Sequence, residues 1–358
     1  MNTRIHYVDG LRGIAIIFVV LFHAYSRWGV AEPFTQNEIL TSAFGYGFLG
    51  VQLFFAISGY VIYMSVLRSN NFIMFGTARY LRLAPAMLFA SILIYISSFL
   101  IPERPSGIVN LVDFLPSLTF IDPPLLSLLT GLDIRSMDGV FWSLYVEVKF
   151  YFIVALAFFL LKDKKLVFLL LLYVAWLLLM AFKYFHFESY VSIELLRVLN
   201  ILGIDFYGWF LMGIYAFRYE TKKTQRNLVL LICISLLAVI TTEPGSLEMT
   251  LAATFFALLF LIPIFIVPVR NILSSKLLVF FGFISYPLYL IHQNIVTGLA
   301  IKLHSILPNL PPYLYPIPFL MLVVLIAYIL AKLEPSLKLV FKRFIPSKVY
   351  GIEVFKQK

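Results

Sequence analysis

Long apolar blocks alternate with short charged stretches along the whole chain. A hydrocarbon layer about 30 Å thick is crossed by roughly 20 apolar residues in a helix. Ten segments meet that pattern, at about 11–28, 46–67, 83–101, 140–161, 165–185, 197–217, 227–242, 249–268, 276–300 and 313–333. The predicted fold class is therefore all-α, a polytopic transmembrane helical bundle of about ten spans. The membrane domain is expected over about residues 1–345, with a cytoplasmic tail over about 346–358.

Composition supports the membrane reading. The 358 residues are 61% hydrophobic and 13% charged, whereas a soluble domain has about 45–50% apolar and about 25% charged residues. The net charge of +10 could signal nucleic acid. Its distribution excludes that partner, because the Lys and Arg residues sit in short loops between spans. Alternate connections collect them: Arg4, the stretch from Arg68 to Arg82, Lys162 with Lys164 and Lys165, Arg218 to Arg226, Arg270 with Lys276, and the chain from Lys332 onward. The opposite connections hold most of the acids, among them Glu32, Glu103, Asp113, Asp138 and Glu188. Positive charge stays inside, so both termini are expected in the cytoplasm. Gly13–Phe22 followed by Ala24-Tyr25-Ser26 has the look of a signal peptide, yet the spans that follow favour an uncleaved first helix. Cys233 is the single cysteine. It forms no internal disulfide and is expected to pack inside a span.

The longest connection, about 102–139, falls outside the membrane and is rich in proline and acid. A loop of that length usually carries function. It is expected to shape or cover an outer acceptor site.

Ionisable groups at membrane depth are costly and are functional candidates by default. Arg12 and His23 share the first span, eleven residues apart. That separates them by roughly 16 Å along one face, with Arg12 at the cytoplasmic surface and His23 toward the outer third. Glu147 lies roughly 10 Å below the outer end of the fourth span, and His292 in the outer half of the ninth. His23, Glu147 and His292 thus share a depth. Arg79 and Arg82, at i and i+3, share a helix face at the inner mouth of the third span. With Arg12 they form a group of guanidinia suited to phosphate. Each has a plainer reading too: a snorkelling anchor for Arg12, a core histidine for His23 and His292, and topology charge for the arginine pair. Two His and one Glu could bind zinc, but no i, i+3 or i, i+4 ligand pair accompanies them, and no metal is expected.

In order, the motifs resemble the membrane acyltransferase 3 family, over nearly the whole chain. Tyr7-Val8-Asp9-Gly10-Leu11-Arg12-Gly13 leads to His23 in an Arg-x10-His pattern. Phe54-Phe55-Ala56-Ile57-Ser58-Gly59, Arg79-x-x-Arg82, Trp142-Ser143-Leu144-x-x-Glu147 and Ser285-Tyr286-x-x-Tyr289-x-x-His292 follow. The resemblance implies an O-acyltransferase of envelope glycans in a bacterial inner membrane. It implies acyl-CoA, acetyl-CoA by family frequency, as a donor substrate with no bound cofactor, and membrane lipid around the chain. His23 carries over as the essential histidine, Glu147 as the glutamate that orients it, and Arg12, Arg79 and Arg82 as donor-binding groups. Ser58, Tyr286 and His292 are channel or supporting positions, with helix contact the commoner reason for Ser58. The rival reading is a transporter or flippase of a lipid-linked saccharide or small anion, since buried His and Glu also suit proton relays.

Overall fold

The computed structural model describes residues 5–28, 38–187 and 189–343. The expectations for Arg4, Glu32, Glu188 and the tail over 346–358 lie outside these residues. Among the described residues the secondary structure is helical, with no strand. The helices are α1 (His6–Tyr25), α2 (Glu38–Phe44), α3 (Gly50–Val66), α4 (Phe72–Leu100), α5 (Phe114–Thr119), α6 (Pro123–Thr130), α7 (Trp142–Leu160) and α8 (Lys165–Tyr184). They continue as α9 (Tyr190–Ile201), α10 (Tyr207–Thr221), α11 (Gln225–Ile240), α12 (Leu247–Phe265), α13 (Val267–Leu273), α14 (Lys276–Ile306) and α15 (Ile317–Arg343).

Eight helical stretches are long and apolar enough to cross a membrane, or up to ten if two bent pairs each count as one span. Helix is what lipid imposes, because no water is present there to satisfy backbone N–H and C=O groups. Pro85, Pro263 and Pro287 sit inside α4, α12 and α14, as spanning helices tolerate. The expected sixth span is the bent pair α9–α10, broken by 71° at Gly203, which is left-handed (φ 76°). The expected seventh is α11, a shorter apolar helix. Cys233 on α11 is exposed, which corrects the expected packing role: it lies on a face of the helix that no other described residue covers.

The described residues fall into two compact units. In the second, built from Gln52–Arg79 and Val146–Ile264, α3 and α10 meet at Gly59. A Cβ there would stand 1.9 Å from the Phe210 carbonyl oxygen. The Phe210 ring stacks on Phe150, with centroids 3.9 Å apart.

The first unit draws on Met1–Val51, Tyr80–Tyr145 and Phe265–Ile345. Its centre is the contact of α1 with α14. A Cβ on Gly13 would lie 2.1 Å from the Leu278 carbonyl oxygen, and one on Gly282 1.9 Å from that of Asp9. The two backbones touch where side chains are absent, as in close-packed membrane helices.

The connection expected as an outer loop is instead folded. It contains α5 and α6, which are bent by 115° in the apolar segment Leu111–Thr130. Its two ends meet α14 just beyond His292. Arg104, 3% exposed, donates to the carbonyl oxygens of Ile94 and Met137, both at 2.9 Å. Ser106 N–H donates to Asn294 Oδ1 at 3.0 Å. Asp138 is buried and accepts the Val140 N–H at 3.2 Å. Burial raises the Asp138 pKa, while Asn294, Val140 N–H and the Arg104 charge pull it back.

Three predictions follow from these contacts. Gly282→Leu should lower thermal stability by about 1–3 kcal/mol or more, as overpacking does; unchanged unfolding in nanodiscs would contradict the backbone contact. For Asp138, a folded pKa above the unfolded one means that ionisation opposes folding. The stability contributed by the protonated carboxyl is therefore fully present below the ordinary carboxylate range, near pH 4, and is lost as pH rises from there through the raised folded pKa. Thermal unfolding of Asp138→Asn should show a flatter pH dependence over that window than the parent. Arg104→Gln should cost about 1–3 kcal/mol by leaving the Ile94 and Met137 carbonyls without their charged donor, and less in the Asp138→Asn background, where the nearby charge is gone. Equal costs in both backgrounds would show that the two groups are not coupled.

Candidate active site

The approach of α1 and α14 that Gly13 and Gly282 permit continues one end of each helix onward to a pair of histidines. His23 sits half-buried near the end of α1, and His292 is 1% exposed on α14. Their ring centroids are 4.8 Å apart at 76°, and His292 Nε2 lies 3.2 Å from His23 Nδ1.

The backbone around them sets their protons. His292 Nδ1 faces the carbonyl oxygens of Tyr289 at 2.9 Å and Leu288 at 3.2 Å. Carbonyls only accept, so Nδ1 carries the hydrogen and the neutral ring keeps its lone pair on Nε2. His23 Nδ1 faces the Val19 carbonyl at 2.9 Å, so it too carries hydrogen. That N–H is shared between Val19 and the His292 Nε2 lone pair. The hydrogen-bond network thereby assigns the second lone pair, on His23, to Nε2. An imidazole held in this tautomer is a base at Nε2, and its protonated form still donates from Nδ1 to Val19 and His292.

Tyr289 supports the pair. Its hydroxyl donates to the Val140 carbonyl at 2.9 Å and lies 2.7 Å from Ser143 Oγ. It thus ties the start of α7 to α14. Tyr286 donates to the Leu83 carbonyl at 3.0 Å, fastening α4 to α14 beside Arg82. Tyr286 precedes His292 by six residues, about 9 Å along the helix. Arg12 is next to Gly13, which touches Leu278, roughly 20 Å along α14 from His292. Within the first unit, Arg12 and Arg82 therefore both lie on the Lys276 side of the histidines.

The second unit holds Ser58, Glu147 and Arg79. Ser58 Oγ and Tyr151 Oη both donate to Glu147 Oε1, the latter at 2.5 Å. A carboxylate at membrane depth is thus satisfied by two hydroxyls. Ser58 does more than pack, since its hydroxyl is one of the two donors to Glu147. Arg79 Nη2 donates to Ser65 Oγ at 3.0 Å, and its guanidinium stands over the Phe75 ring at 5.8 Å. Lys149, two residues from Glu147, donates to the Ile201 carbonyl at 2.7 Å and so finishes the end of α9.

The sequence reading paired His23 with Glu147. The structure places them in different units and gives each a set of contacts within its own: His292 for His23, Ser58 and Tyr151 for Glu147. His292, read as a supporting position, proves to be the ring in contact with His23. Tyr151 escaped the sequence reading, although its i+4 spacing from Glu147 on one helix was the available signal. So did the joint burial of Arg104, Asp138 and Asn294, which only the two ends of a folded connection bring together.

A protein of Shigella phage Sf6 described as an O-acetyl transferase is 30% identical over 173 residues, 46% of this chain and 49% of that one. A protein of Komagataeibacter xylinus assigned as a membrane-bound transacylase, BcsY, is 38% identical over 89 residues, 24% of this chain and 19% of that one. The chain thus aligns with about half the length, or less, of these curated relatives. No solved structure matches. A family model described as an acyltransferase domain matches residues 5–332, from the first turn of α1 through most of α15. The motif order and this match lead to one assignment: the chain belongs to the acyltransferase 3 family.

Proposed function

We propose that the chain moves an acyl group, acetyl in the simplest case, from cytoplasmic acyl-CoA to a hydroxyl of an extracytoplasmic glycan or similar acceptor. The observation that carries this reading is the histidine pair, which leaves His23 Nε2 as a base at the end of α1 remote from Arg12. The hydroxyl proton passes to Nε2 as the oxygen attacks the thioester carbonyl. The CoA thiolate leaves and takes up the proton from the imidazolium. Meanwhile the His23 Nδ1–H stays bonded to Val19 and His292, so the charged ring does not turn away. The name of the phage relative supports an acetyl group.

Arg12, Arg79 and Arg82 are proposed to bind the donor phosphates, as guanidinium chemistry suits. Glu147 is retained as a second catalytic group on the strength of the motif order, with Ser58 and Tyr151 holding its carboxylate. Loop charge supports an inner-membrane orientation with both termini cytoplasmic. Membership of an acyltransferase family displaces the transporter reading.

Thiol release from acetyl-CoA in nanodiscs, with a glycan acceptor, tests the proposal. His23→Ala should lower turnover by roughly 10²–10⁴-fold, the usual contribution of a general base, while CoA still binds. Full activity in this variant would refute the mechanism. His292→Ala should lower kcat with little change in donor KM, and adding it to His23→Ala should cost little more, because groups acting as a unit are non-additive. Arg79→Gln with Arg82→Gln should weaken CoA binding measured directly on the folded protein. Unchanged affinity would return both arginines to topology signals.

A further inference from the structure

The segment between α4 and α7 descends along α4 rather than spreading over its outer end. Val109 N–H meets Ser98 Oγ at 3.3 Å. The Phe114 ring meets Tyr95 at 5.5 Å, and the Phe120 ring meets Tyr80 at 6.0 Å. Tyr80 also donates to the Leu118 carbonyl at 3.3 Å. Tyr95 is about 8 Å below Leu100 along a helix and Tyr80 about 30 Å below it. The turn between α5 and α6 therefore sits deep against a spanning helix. The chain then climbs back, Ser117 facing Met137 Sδ at 3.4 Å and Gly139 facing the Gln293 amide.

Polarity follows this path. At the mouth, Asp113 accepts the N–H groups of Asn110 and Arg135, both at 2.8 Å, and Asp133 pairs with Arg135 in the open. Lower down, Leu125, Leu128 and Leu129, at i, i+3 and i+4, present one face of α6. They are 41%, 81% and 68% exposed. At its sharpest point the turn satisfies its donor locally: Phe120 is buried, and its N–H bonds to the Pro116 carbonyl at 2.8 Å. Irregular backbone at membrane depth is tolerated on that condition.

We propose that residues 111–130 form a re-entrant hairpin inserted from the outer face, with the leucine face of α6 covered by lipid acyl chains. Lipid fits this face better than a protein partner, because it presents leucine at all three positions, the exposed charges Asp133 and Arg135 lie at the mouth, and Asp122 in the turn is half-buried with its Oδ1 covered by the protein. The same insertion explains why an acidic, proline-rich connection is apolar enough at its centre to pass for a span. Its ends close onto Asn294 and Gln293, beside the histidine on α14, so the hairpin forms a wall of the first unit instead of a soluble cover.

Spin labelling of the full chain in nanodiscs tests this. A nitroxide is placed at Leu128→Cys, or separately at Leu129→Cys, in a Cys233→Ser background. Controls are labels at Leu171, on the exposed apolar face of α8, and at Glu243, in an exposed turn. Both hairpin labels should relax faster with dissolved oxygen than with a water-soluble nickel chelate, the ratio found at Leu171. A ratio reversed to that of Glu243 overturns the proposal by placing α6 in water. Low collision rates with both reagents overturn it equally, since the face would then be covered by protein.

Discussion

The backbone contact between α1 and α14 is the constraint on which the site depends. Two helices approach closely only where Cβ atoms are missing, and Gly13 and Gly282 provide that gap. Roughly three turns further along, the same two axes bring His23 and His292 to hydrogen-bond distance. Side chains much larger than glycine at the crossing would separate the rings by ångströms. Chemistry that relies on a shared N–H would not survive that. The position of His23 Nε2 is thus decided by residues that have no side chain.

Lipid sharpens each choice made around that contact. Water is absent to solvate a stray donor or acceptor, so every polar group at depth is drawn to a partner. The backbone carbonyls of Val19, Leu288 and Tyr289 choose the tautomers of the two rings, and two hydroxyls satisfy Glu147. Lys149 finishes a helix end, and Arg104 gathers two carbonyls from different parts of the first unit. The same residue types on a soluble surface would be solvated separately and would specify nothing. The low dielectric that makes these groups costly also makes their geometry definite.

The connection between α4 and α7 shows the same rule acting on a stretch that composition alone misplaces. Its prolines and acids point outward, but its leucines between Leu111 and Leu129 are too many for water. Folding it as two short bent helices, with Phe114 and Phe120 against Tyr95 and Tyr80, resolves the conflict, because the Phe120 N–H is satisfied locally and the acids lie near the mouth or against the protein.

Much of this was legible in the order of residues. The period of apolar blocks determined an all-helical membrane protein, since about 20 apolar residues per crossing is a property of bilayer thickness. Motif order determined the family and pointed to His23, Glu147 and the arginines, because ionisable residues survive in such blocks only for a reason. The spacing on α1 even set the depth of His23 relative to Arg12, a consequence of helix rise. Partners were another matter. His292 lies 269 positions from His23 and Asn294 lies 188 from Ser106; no local rule links residues so far apart. Which ring touches His23, which nitrogen bears its hydrogen, and where the long connection runs were decided by the packing of helices across the first unit, where contact depends on interaxial distance and not on sequence separation.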